Sequence, residues 1–127
     1  MDTFVFTVSQ RFFFDAAHTL NRAIAAEAEA SRRIHGHTYH AEVWLTGPLD
    51  PATGMVIDLG LLRQHLANVR EQLDHRMLDD IAGLGAPTLE NLCVFITQAM
   101  PDLRPQIARV RVWREALGDS CTLELRP

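Results

Sequence analysis

The sequence predicts an α+β domain: an antiparallel sheet with two helices on one face, in the order ββααββ. Three observations carry this. Segments near both ends of the chain alternate apolar and polar residues with the period of two that marks half-buried strands. Between them lie two segments whose apolar residues recur at three and four, the period of a helix packed on one side. Strand pairs at the ends with helices between them favour antiparallel neighbours and helices gathered on one face.

Each element has its own signal. Phe4, Phe6 and Val8 alternate with Thr3, Val5 and Thr7, and the pattern resumes through Phe12 and Phe14. This is a long first strand, with a bulge expected near Ser9-Gln10. Ala23 to Ala30 is rich in Ala and Glu, so its helical propensity is high but its periodicity poor. A mobile loop or short helix is expected over 19–33. The second strand runs from about Ile34 to Thr46, with His35, His37, Tyr39, Ala41, Val43 and Leu45 on one face. Gly47-Pro48-Leu49-Asp50-Pro51 and Thr53-Gly54 form turns. Asp58 then caps a helix bearing Leu59, Leu62, Leu66, Val69 and Leu73. After a break at Gly83, Gly85 and Pro87, Thr88 caps a second helix with Leu89, Leu92, Cys93, Ile96 and Met100 on one face, ended by Pro101 and Pro105. Val110 and Val112 alternate with Arg109, Arg111 and Trp113 in a third strand. Leu117-Gly118-Asp119 turns into a fourth, where Cys121, Leu123 and Leu125 share a face.

A chain of 127 residues and 14.3 kDa makes one domain, spanning 1–127, with one core. Its 12 basic residues, all arginine, face 16 acids, for a net charge of -4. That balance excludes nucleic acid and anionic membrane as the main partners. No apolar run approaches the roughly 18 residues of a membrane span, and no signal-peptide pattern follows Met1. Cys93 and Cys121 lack metal or redox spacing and read as buried thiols of a reducing compartment. A cytoplasmic protein is expected.

The chemistry concentrates in His35-Gly36-His37-Thr38-Tyr39-His40. Side chains alternate along a strand, so His35 and His37 point the same way and can converge on one ion, while His40 faces away. A third ligand must come from elsewhere, and His18 in Phe14-Asp15-Ala16-Ala17-His18 is the candidate. Three imidazoles with a fourth position open is a catalytic zinc arrangement. Asp74-His75 follows the first core helix, where an Asp can fix the tautomer of a proton-shuttling His; a surface dipeptide is the bland alternative. Pro87-Thr88-Leu89-Glu90 by itself is a helix start, and Glu115 a strand end.

In combination, Phe-Asp-Ala-Ala-His, His-Gly-His-Thr-Tyr, Leu-Asp-His, Pro-Thr-Leu-Glu-Asn and the final Glu115 resemble the 6-pyruvoyl-tetrahydropterin synthase family. That family includes the bacterial 6-carboxy-tetrahydropterin synthases of queuosine biosynthesis, and the resemblance runs from about Phe4 to Arg126. It implies the tunnel fold, in which sheets of several subunits join into a barrel, often a homohexamer built as a dimer of trimers. His18, His35 and His37 match the zinc ligands. Asp74 and His75 match the proton-relay pair, and Glu115 matches the acid that anchors the pterin ring. Thr88 and Glu90 fall in the segment that lines the pterin pocket from a neighbouring subunit. The implied substrate is a dihydropterin triphosphate, with Arg22, Arg32 and Arg33 as candidates for its phosphates.

One residue departs from the family. Its synthases carry a catalytic cysteine shortly before His-Gly-His, and here Ser31 occupies the bacterial position, with Glu29 two residues earlier. A hydroxyl is a far weaker base than a thiolate. Three alternatives stay open: Ser31 activated by His75 or the metal, Glu29 as a carboxylate base releasing a hydroxymethyl-pterin, or loss of turnover with the zinc and pterin site retained.

Overall fold

Alternation draws the chain into four strands, β1 (Phe6–His18), β2 (His35–Gly47), β3 (Ile107–Arg114) and β4 (Asp119–Glu124), in a computed structural model that describes residues 4–20 and 23–126. They form one antiparallel sheet in the order β1-β2-β3-β4. The register of β1 with β2 runs unbroken from Phe6 opposite Gly47 to His18 opposite His35, so the bulge expected at Ser9-Gln10 is absent. Ser9 and Gln10 keep strict alternation opposite Trp44 and Val43, so no extra residue has to be accommodated there. The register shift lies instead between Trp44 and Leu45, where β2 meets β3.

Two helices were expected between the strand pairs and both form. α2 (Leu59–Leu73) packs on β1, and α3 (Leu89–Gln98) on β3 and β4. Asp58 accepts the Gly60 N–H at 2.8 Å and Thr88 the Asn91 N–H at 3.1 Å, closing the orphan donors at each start. Leu62, Leu66, Val69 and Leu73 of α2, with Leu92, Cys93 and Ile96 of α3, are buried against Phe14, Tyr39, Ala41, Val43, Val110 and Val112. Each fully buried Leu or Val contributes about 1.5–3 kcal/mol. The first strand pair is not a tight hairpin: its connection carries a short helix, α1 (Ala25–Arg32). Arg22, a candidate for the phosphates, lies outside the described residues.

The other sheet face alternates the opposite residues into a layer of arginine and aromatic rings. His40 stacks on Trp113 with centroids 5.5 Å apart, and Arg111 lies over the same ring at 4.6 Å. The outer edge of β1 is partly paired by the chain leaving α2. The His75 N–H donates to Asp15 at 2.6 Å, and the Ala17 N–H to Arg76 at 3.0 Å.

Candidate metal centre and active site

The strand register builds the centre. His18 closes β1 directly opposite His35 at the start of β2, and His37 follows two residues on. All three leave the sheet on one face. Their Nε2 atoms converge: His18 to His35 at 2.9 Å and His18 to His37 at 3.1 Å. Backbone carbonyls hold two rings from behind, with His18 Nδ1 3.1 Å from Pro87 O and His35 Nδ1 2.7 Å from Arg33 O. A carbonyl only accepts, so each Nδ1 carries the proton and each Nε2 presents a lone pair.

Two lone pairs facing each other at 2.9 Å repel unless a cation lies between them. The donor set therefore fits a metal. Tetrahedral zinc with bonds of about 2.0–2.1 Å spaces its ligand nitrogens about 3.3 Å apart, close to the spacing here. Burial lowers the pKa of His18, and burial with the nearby Arg114 charge lowers that of His37 to about 4. Both rings are thus held neutral, the ligating form. Burial pushes the Tyr39 phenol, beside His18, up to about 12, so it stays protonated.

Of the residues named to replace the cysteine, Ser31 faces the centre and Glu29 does not. Ser31 is buried and lines a cavity of about 320 Å³ with His35, His37 and Arg114, its hydroxyl donating to Ala28 O at 3.0 Å. Glu29 points outward and pairs with Arg33 at 2.7 Å, both side chains about three-quarters exposed. The acid on the cavity wall is Glu27, one helical turn before Ser31. α1 has little amphipathic pattern from which that phase could be read.

Asp74 and His75 form a pair. Asp74 Oδ2 is 2.8 Å from His75 Nδ1 and 3.2 Å from Arg70, while Oδ1 accepts the Asp15 N–H at 2.9 Å. That backbone donor leads the causes that lower the Asp74 pKa, helped by His75 and Arg70. His75 sits at φ 58, largely exposed; it is not among the residues lining the Ser31 cavity, but shares a cavity of about 530 Å³ with His37.

Thr88 and Glu90 line a cavity of about 240 Å³ together with His18, Tyr39, Arg114 and Asp119 of the same chain. Glu115 is exposed, and its carboxylate accepts from Trp113 Nε1 at 3.1 Å. The residue of β3 that turns inward is Arg114, in step with Val110 and Val112. It is 6% exposed and lines both cavities. Asp119 holds it from one side, with Nε to Oδ1 at 2.9 Å and Nη2 to Oδ2 at 2.6 Å. Nη1 on the other side lies 3.4 Å from His37 Nε2. Neither Arg114 nor Glu27 was singled out from the sequence. For Arg114 the signal existed, since it has the parity of Val110 and Val112.

Residues 7–125 match the family described as 6-pyruvoyl tetrahydropterin synthase. The chain belongs to the 6-pyruvoyl tetrahydropterin synthase family. Within it, the chain is 34% identical over 94 residues to 6-carboxy-5,6,7,8-tetrahydropterin synthase of Synechocystis sp., covering 70% of each. It is 32% identical over 106 residues to dihydroneopterin monophosphate aldolase of Pyrococcus furiosus, covering 81% of this chain and 84% of that one. The solved structure of Caenorhabditis elegans 6-pyruvoyl tetrahydropterin synthase superposes with a TM-score of 0.81 at 25% identity, over 99% of this chain and 100% of that chain. The sheet and its helices are therefore the family's tunnel-fold subunit.

Proposed function

We propose that the chain is a zinc-dependent lyase acting on 7,8-dihydroneopterin triphosphate, most like the 6-carboxy-5,6,7,8-tetrahydropterin synthases of queuosine biosynthesis. The observation that carries this is the convergence of three imidazoles on one point, two of them with Nδ1 held by a backbone carbonyl. When zinc is bound, His18, His35 and His37 hold it, and the chemistry it supplies is Lewis-acid polarisation of the substrate's side-chain oxygens.

The other residues bind and move protons. Asp74 takes the Nδ1 proton of His75 as a hydrogen bond, which leaves Nε2 free to accept one. In a homohexamer, a dimer of trimers, this exposed relay would be presented to the metal site of an adjoining subunit. Ser31 stands in the cysteine's place against the centre. Thr88 and Glu90 offer a hydroxyl and a carboxylate to the pterin's amino and ring N–H groups, and Glu115, exposed and outside that cavity, would reach a pterin only across a subunit contact. Arg32 and Arg33, exposed at the end of α1, are the described candidates for the triphosphate, Arg33 being paired with Glu29. The free thiols Cys93 and Cys121 suit a cytoplasmic setting.

A second reading is favoured by one observation: no cysteine stands near the centre, both lying on α3 and β4. A carboxylate base would then release a hydroxymethyl-dihydropterin, and the similarity to a dihydroneopterin monophosphate aldolase supports it. Zinc-loaded protein incubated with dihydroneopterin triphosphate separates the readings. Carboxy- or pyruvoyl-tetrahydropterin supports the first, and hydroxymethyl-dihydropterin the second. Tight pterin binding without turnover would overturn both in favour of a silent binding protein.

A further inference from the structure

We propose that Arg114 makes the open side of the three-histidine centre a site for an anionic oxygen, such as that of a substrate carboxylate or phosphate group. The inference rests on the metal centre proposed above and adds what binds beside it.

Position is the first argument. Arg114 is the last residue of β3 and shares the inward face with Val110 and Val112. Its guanidinium is therefore carried into the wall between two cavities, one lined by Ser31, His35 and His37 and the other by His18, Thr88 and Glu90. A ligand entering either one meets it.

Orientation is the second. Asp119 occupies the Nε and Nη2 side with two short contacts of 2.9 and 2.6 Å, which fixes the plane of the group. The Tyr39 hydroxyl also accepts from Arg114. What remains directed at the centre is Nη1, 3.4 Å from His37 Nε2. Planar guanidinium groups held in this way recognise carboxylate and phosphate oxygens through charge-assisted hydrogen bonds.

Charge is the third. Three neutral imidazoles leave the charge of a divalent ion unbalanced, and the nearest carboxylate, Asp119, is already engaged by the guanidinium. A metal and a guanidinium so close repel each other. An anionic oxygen between them attracts both and removes the conflict. Metal and anion should consequently bind with positive coupling, each strengthening the other by the same factor.

Cobalt(II) in place of zinc gives a visible absorption band that reports its coordination without turnover. Acetate and inorganic phosphate are titrated separately into cobalt-loaded protein, with chloride at equal ionic strength as the control. Both anions, or one of them, should shift the band saturably and raise cobalt affinity. The stronger of the two names the group as carboxylate or phosphate. In Arg114→Met, anion affinity should fall about tenfold to a hundredfold, the size of one charge-assisted contact, and the coupling should vanish. Arg114→Lys should retain part of both. Asp119→Asn keeps Arg114 in place and frees its charge, so anion affinity should rise; this variant preserves the test if Arg114→Met does not fold.

Anion responses no greater than chloride's would overturn the proposal and leave the metal centre standing. So would equal anion affinity in folded Arg114→Met, or unchanged affinity in Asp119→Asn. Absence of a cobalt band that is lost in His37→Ala would overturn the metal centre and this inference together.

Discussion

The opposed Nε2 lone pairs of His18 and His35 would make a bound metal part of the fold's energetics as well as its chemistry. A ligand that binds only the folded state stabilises it by about 4 kcal/mol at a thousandfold excess over Kd. Stripping zinc should therefore lower the melting temperature by on the order of 10 °C. In His37→Ala the same treatment should change little, and calorimetry with and without chelator checks both. Around the centre, Ser31 lines the cavity with Glu27 while Glu29 is engaged by Arg33. Ser31→Ala and Glu27→Gln should each reduce turnover more than Glu29→Gln, in an assay that follows product directly. Cys93 tests the opposite case, a thiol kept out of chemistry: burial, together with Cys121, pushes it up to about 12. It should resist iodoacetamide at pH 7.5 in the native protein and react once unfolded, as peptide mass mapping would show.

At the scale of elements, the turn after α2 ties that helix to the edge of β1 through Asp74, His75 and Arg76. His75 is held at φ 58, a left-handed conformation that costs a non-glycine residue of order 1 kcal/mol. Glycine at this position removes that strain and also the contact with Asp74. His75→Gly should be as stable as wild type or up to about 1 kcal/mol more stable, yet lose the relay, so denaturation and turnover should diverge. The Asp74 pKa is depressed below 3.8, so its contribution to stability is present above that value. It is lost as pH falls through the lower native pKa. The stability gap between wild type and Asp74→Asn should therefore shrink in acid and stay flat above about pH 5. Much of this level was legible in the sequence. Parity along β2 put His35 and His37 on one face, the family resemblance added His18, and Asp58 and Thr88 marked both helix starts. What escaped was rotational phase in α1, whose Ala/Glu composition has no apolar stripe to separate Glu27 from Glu29. The inward turn of β3 at Arg114 is readable from its parity with Val110 and Val112, which also sets the neighbouring Glu115 outward.

At the scale of the whole molecule, the sheet ends in two different edges, and exposed aromatic residues gather at one of them. Phe4 is 67% exposed, Phe6 42% and Phe13 50%, all on or beside β1. Subunits joining edge to edge would cover them and bring His75 of one chain to the metal of the next. Mixing His37→Ala protomers, which lack the metal, with His75→Ala protomers, which lack the relay, should restore part of the activity that neither has alone. Native mass spectrometry should find six copies of the 14.3 kDa chain in the active species. A monomer with full activity, or mixtures as inactive as their parts, would count against sites shared between subunits.

The pairing of His18 with His35 at the mouth of the first strand pair has one more consequence. Everything between those two residues, α1 included, is a loop whose two ends are the ligands themselves. Among its described residues the ties include the Leu20 N–H to Ser31 O bond at 2.6 Å and the bonds of Thr19 to Asp79. A bound ion thus acts as a clasp on this loop, much as a disulfide would, and opposes its local opening. Amide exchange across residues 23–33 should slow when the metal is added, while the core of α2 is unaffected. With the ion bound, α1 and its Ser31 should therefore keep their place beside the centre for a larger share of the time.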